Sequence, residues 1–157
     1  EDGGVLVAAL EKIVDPLLPA GDIATATYQD GTTKVLVHSD ANELNLPMMV
    51  LVNGNTASAA ELFTASLKDF GKAEVIGEQT FGKGIMQNTF ELPDGGAVTL
   101  TVATYQTTKG ECYHGVGITP DVIMEEDYEK VDFDHPNAEQ DAQLKQAMEL
   151  LQSKINS

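Results

Sequence analysis

The chain has 157 residues, 42% of them hydrophobic, which suits one globular domain with a core of its own and leaves little room for two. Its 25 acidic against 9 basic side chains give a formal charge of -16, which opposes binding to nucleic acid or to anionic lipid headgroups. The single Cys112 excludes an intrachain disulfide and any multi-cysteine zinc site, so cysteine usage does not report the redox compartment. Glu1-Asp2-Gly3-Gly4 lacks the basic start of a signal peptide, and the apolar run over residues 5–10 is too short to span a bilayer.

Apolar side chains at Val5, Leu6, Ala9, Leu10 and Ile13 predict a first helix, with Asp2 available as its cap and Pro16 ending it. Residues 23–28 and 34–38 read as strands of a hairpin turning at Gln29-Asp30-Gly31-Thr32. Met48-Met49-Val50-Leu51-Val52 is a continuous apolar run, expected to be a strand covered on both faces as in a parallel sheet. A turn over residues 53–56 leads to a helix over residues 57–70, with Leu62, Phe63, Ala65 and Leu67 on its apolar stripe and Gly71 ending it. Strands are expected over residues 74–77, 85–92 and 97–105, the last two joined at Pro93-Asp94-Gly95-Gly96 and the last with Val98, Leu100 and Val102 facing a core. An acidic connector over residues 125–134 precedes a final helix starting at Pro136, with Leu144, Met148, Leu151 and Ile155 as its apolar face.

Two short stretches carry chemistry. Ser58-Ala59-Ala60-Glu61 fits the S-x-x-E capping box, in which the hydroxyl only caps the helix that follows. The same placement, at the first turn after a buried strand, presents a serine sharply beside free backbone N–H groups, of which Ala59 N–H is the obvious oxyanion donor. Phe81-Gly82-Lys83-Gly84-Ile85-Met86-Gln87 offers an amine between two glycines. Lys83 is either a solvated turn lysine or a general base; the second role needs a neutral amine and an apolar pocket, for which Phe81 and Ile85 are candidates. Gln87 is either an ordinary strand residue or the group that orients the amine. Four residues along a straight strand are ~13 Å apart, so that role requires a bend at Gly84.

Competing readings are weaker. Gly77-Glu78-Gln79-Thr80-Phe81-Gly82-Lys83 matches seven positions of the phosphate loop, but Gly84 replaces the Ser/Thr that ligates magnesium, and a strand follows where that loop needs a helix. Glu125-Glu126-Asp127 and Asp132-Phe133-Asp134-His135 have no calcium-loop or His-x-x-x-His spacing and read as a solvated linker. A Ser/His/Asp triad using His38 or His114 stays open on the sequence.

Read jointly with Gly117-Ile118-Thr119-Pro120-Asp121, the two stretches resemble the C-terminal processing (tail-specific) proteases. From Gly3 to about Met124 the order and spacing of the motifs match this family of serine peptidases with a Ser/Lys site. The resemblance implies an α/β fold of ClpP/crotonase type, built of stacked β-β-α units with a mixed sheet and packed helices. It implies Ser58 as nucleophile, Lys83 as general base, Gln87 as the residue positioning the lysine, and an oxyanion hole from the backbone of Gly3, Gly4 and Ala59. Residues 1–124 are then a protease core truncated on its N-terminal side, and residues 125–157 a connector and helix matching the family only loosely. No cofactor or metal is implied. The expected partners are polypeptides with free C-termini, and the expected setting is extracytoplasmic. The family's peptide-binding PDZ domain is missing from this sequence, and pairing of an exposed strand edge would give a homodimer. Ala60 departs from the family, which usually has a second small hydroxyl residue there. A non-catalytic module of the same fold, like the retinoid-binding repeats, is the alternative; retention of Ser58, Lys83 and Gln87 together argues against it.

Overall fold

The structure is a computed structural model that describes residues 2–40 and 42–156, with the backbone alone for residues 2–7. Its elements in order are α1 (Asp2–Val14), a 3-10 turn (Asp15–Leu17), β1 (Gly21–Tyr28), β2 (Thr33–Ser39), β3 (Met48–Val52), α2 (Ala59–Asp69), β4 (Ala73–Gly77), β5 (Ile85–Glu91), β6 (Ala97–Thr107), β7 (Val122–Ile123) and α3 (Ala142–Ile155). Pro16 stands where α1 gives way to the 3-10 turn, as a residue without a backbone N–H should. The Asp2 cap expected from the sequence lies outside the described side chains.

The strands form two sheets, an antiparallel one in the order β2-β1-β6-β5 and a parallel one in the order β3-β4-β7. Helix α2 lies between them, packed on β4 on one side and on β1 and β6 on the other. Being covered on both sides, it buries Glu61, Leu62, Thr64, Ala65, Ser66 and Leu67 rather than a single stripe. Its buried hydroxyls are satisfied within the helix, Thr64 Oγ1 donating to Ala60 O at 2.8 Å and Ser66 Oγ to Leu62 O at 2.6 Å. The core continues through Leu10 and Val14 of α1, Ile23, Ala24 and Ala26 of β1, and Val37 of β2.

Three expectations need correction. The expected inward face of β6 is wrong by one residue: Val98 and Leu100 are 37% and 51% exposed, whereas Ala103, Tyr105 and Thr107 are buried. The cause is length, because β1 pairs only with the segment from Ala103 to Thr107, so the outer β5–β6 ribbon runs on without a third strand beside β6. Helix α3 begins at Ala142, capped by Asp141 accepting from Leu144 N at 2.7 Å, not at Pro136. It buries Gln143 and Ala147 and leaves Met148 and Ile155 exposed. Strand β3 does pair in parallel with β4, but only Val52 is fully buried and Leu51 is 39% exposed.

The ends of β3 and β4 meet closely. Gly77 has φ +132°, and a Cβ there would run into the Val52 carbonyl, while the next residue's N–H donates to that same carbonyl at 3.1 Å. A backbone carbonyl cannot swing aside as a side-chain end can. Gly77→Ala is therefore expected to cost at least ~3 kcal/mol, read as the urea midpoint; an unchanged midpoint would disprove the close approach.

Asp121 ties the last segment to this sheet. It accepts from Val75 N at 2.9 Å and pairs with Lys68. Burial alone would raise its carboxyl, but the Lys68 hydrogen bond, the Val75 N–H and the Lys68 charge together hold it below the ordinary 3.8. A carboxyl depressed on folding contributes stability above its unfolded value and loses it as pH falls through the folded one. Asp121→Asn is thus expected to be less stable than the parent at pH 7, the gap closing as pH falls below about 3.8. A gap constant with pH in thermal unfolding would contradict the assignment.

Candidate active site

Ser58 stands between β3 and α2, at the helix N-cap, with φ 57° and ψ -119°. It is the only non-glycine residue with positive φ among those described. Such a backbone costs ~1–3 kcal/mol and persists only where its surroundings impose it. Here the imposing group is Glu61, whose Oε2 accepts from Ser58 N at 3.0 Å. The preceding turn is itself fixed by Asn53, which accepts from Thr56 N at 2.9 Å through its backbone oxygen and from Asn55 N at 2.9 Å through Oδ1. The result is a sharp strand-to-helix turn that leaves Ser58 half-buried, and hence reachable. Ala59, the first residue of α2, carries one of the N–H groups that helix geometry leaves without an intrahelical acceptor.

The same carboxylate builds the lysine loop. Glu61 is fully buried; its Oε1 accepts from Thr80 Oγ1 and Gly82 N, both at 2.6 Å, and its Oε2 also accepts from Lys83 N at 2.7 Å. Four donors fill the acceptor positions of a carboxylate, and one oxygen joins the backbones of Ser58 and Lys83. Glu61 was legible only as the far end of a capping box; its central place was not, because nothing in S-x-x-E says what else the carboxylate meets.

The segment from Gly117 to Asp121 closes the loop from the other side. Thr80 N donates to Ile118 O at 3.2 Å, Ile118 N donates to Thr80 Oγ1 at 2.7 Å, and Gly115 N donates to Gly82 O at 2.9 Å. Gly82 has φ +91°, and a Cβ there would stand 2.8 Å from Gly117 N, so the glycine is required by both conformation and space.

Lys83 is half-buried, and no ion pair engages it among the described residues. Of the two residues expected to wall its amine, Ile85 is half-buried and Phe81 is 66% exposed, its backbone N–H donating to Thr56 O at 3.0 Å. Gln87 is exposed on β5, where the pairing with β6 shifts register by one residue, Val102 of β6 being the extra one. Gly3 and Gly4 stand in the first turn of α1, and how they face Ser58 lies outside what is described. His38 pairs with Asp22 at 2.9 Å, and His114 Nδ1 lies 3.1 Å from Gly82 O; neither bonds to Ser58.

One group near Ser58 Oγ is not flagged by the motifs, the Tyr105 hydroxyl at 3.5 Å, which also donates to Lys83 O at 2.7 Å. Burial first, and the Glu61 charge in addition, raise the Tyr105 phenol above its ordinary 10 despite the opposing hydrogen bond from Ser58, so it remains a neutral donor. An alternating strand offers no sign that its tyrosine reaches a serine on another element.

The sequence pattern of peptidase family S41 matches residues 1–124, and this chain belongs to that family. It is 36% identical over 149 residues to the carboxyl-terminal-processing protease of Synechocystis sp., covering 95% of this chain and 34% of that protein. It is 41% identical over 113 residues to the carboxy-terminal processing protease CtpA of Bacillus subtilis, covering 71% and 24%. Among solved structures it is similar to the photosystem II D1 C-terminal processing protease, with a TM-score of 0.69 and 36% identity over 76% of this chain and 31% of that one. The chain spans about a third or less of the length of these relatives. Its mixed α/β architecture is ClpP/crotonase-like, as the resemblance implied.

Proposed function

We propose that this chain forms the catalytic core of a serine endopeptidase that cuts polypeptides near their C-termini. Lys83 Nζ, unprotonated, takes the Ser58 Oγ proton as Oγ attacks the scissile carbonyl. The oxyanion is held by the Ala59 N–H and by the backbone of Gly3 and Gly4. Collapse expels the amine, which leaves with the proton from Lys83, and an acyl-enzyme remains on Ser58. Lys83 then takes a proton from water as the water oxygen attacks the ester, and collapse breaks the acyl–Oγ bond, releasing the carboxylic acid product while Lys83 returns the proton to Ser58 Oγ. Gln87 orients the amine, from the position on β5 where its pairing with β6 shifts register.

The observation that carries this reading is the Glu61 carboxylate, which fixes Ser58 in a nucleophile-like turn and holds the lysine loop against it with the same oxygen. Residues 1–124 provide the chemistry, and residues 125–157 a connector and a helix packed on β3 and β4. Substrate is an extended chain with a free C-terminus, in an extracytoplasmic setting, and no cofactor takes part. Incubation with a peptide, followed by product mass analysis, tests the reading. One internal cut near the C-terminus is expected; stepwise removal of single residues would contradict it.

A further inference from the structure

Tyr105 is 7% exposed, and its hydroxyl has one proton to give. A backbone carbonyl only accepts, so the 2.7 Å contact with Lys83 O uses that proton. The 3.5 Å contact with Ser58 Oγ is then donated by the serine to a lone pair of the phenol. This second contact is long for an O–H···O bond, a guide that the serine can give up when a stronger acceptor arrives. The ring cannot swing freely, since Tyr113 packs edge-on against it with centroids 6.1 Å apart and planes at 76°.

We propose that Tyr105 is the positioning residue of the Ser58/Lys83 pair: one phenol anchors the lysine's backbone and guides the serine's hydroxyl, setting the separation and alignment of the two. The proposal rests on the Ser/Lys reading above. Because the phenol touches the enzyme's own groups, losing it should leave substrate binding alone and slow the chemical step.

Tyr105→Phe, wild type and Ser58→Ala are compared in peptide hydrolysis, with a serine-directed phosphonate mapped by mass. The expected result for Tyr105→Phe is a kcat lower by ~10- to 100-fold with KM within about twofold, and a slower adduct still on Ser58. A kcat within about twofold of wild type overturns the proposal, as does a loss confined to KM. Should Tyr105→Phe not fold, 3-fluorotyrosine at position 105 keeps the shape but ionises more readily, and a phenolate cannot donate to Lys83 O. The alkaline fall of kcat should then begin at lower pH than in wild type, and superimposable profiles overturn the proposal. The other titratable groups around the phenol, Glu61 on α2, Lys83 on its loop, and Cys112 and Tyr113 after β6, are the same in both proteins. A wild type that matches Ser58→Ala in both assays overturns the Ser/Lys reading, and the role of Tyr105 with it; labelling of Ser58 at equal rates in wild type and Tyr105→Phe overturns the role of Tyr105 alone.

Discussion

Replacing Ser58 with alanine is expected to lower kcat for peptide hydrolysis by ~10⁴-fold or more, because no other group in the site can form the acyl-enzyme. Lys83→Ala should fall nearly as far, and the double variant no further than either single one, since a nucleophile without its base and a base without its nucleophile are equally idle. The strained turn gives this prediction a second edge. At φ 57° and ψ -119° a glycine is unstrained where alanine is not. Ser58→Gly should therefore be as inactive as Ser58→Ala yet more stable by about 1 kcal/mol, read from chemical denaturation. Equal stability of the two variants would mean that the turn is not strained.

The second large effect is expected at Glu61. In Glu61→Gln one oxygen is replaced by an NH₂ group, which meets donors where it needs acceptors. Four groups now aim at this carboxylate: the N–H groups of Ser58, Gly82 and Lys83 and the Thr80 hydroxyl. Buried donors left without acceptors cost about 1–3 kcal/mol each, and at least two are orphaned, so a loss of ~3 kcal/mol or more is expected. For a chain of this size that lowers Tm on the order of 10 °C. Activity should fall beyond what unfolding explains, because whichever position takes the NH₂, either the bridge from Ser58 N to Lys83 N or the hold on Thr80 and Gly82 in the lysine loop is lost. A variant with normal Tm and normal kcat would show that the carboxylate is a helix cap and nothing more.

Local signals carried much of this fold. The β1–β2 hairpin, the parallel β3, the start of α2 and the β5–β6 hairpin follow from periodicity, turn residues and a capping signature, which are short-range properties of the chain. What failed depended on the neighbours. The face that β6 buries is set by where β1 stops pairing with it, and the face of α3 by how it lies on β3 and β4; no alternation within either segment reports that. The site divides in the same way. Ser58 and Lys83 stand out because their flanking glycines and turn residues are local devices. Glu61 was visible in type but not in reach, and Tyr105 not at all, because its partners Ser58 and Lys83 are 47 and 22 residues away in sequence. Adjacency along the loop makes Phe81 a candidate wall for the lysine, but its 66% exposure depends on what packs over that loop, which adjacency does not report.

The central claim is that Ser58, activated by Lys83, is the nucleophile. Intact-mass measurement after reaction with a serine-directed phosphonate, followed by peptide mapping, tests it most directly. One adduct per chain on Ser58, reduced to background in Lys83→Ala while that variant keeps its Tm, is the predicted result. An adduct on any other residue, or undiminished labelling of Ser58 in Lys83→Ala, would contradict it.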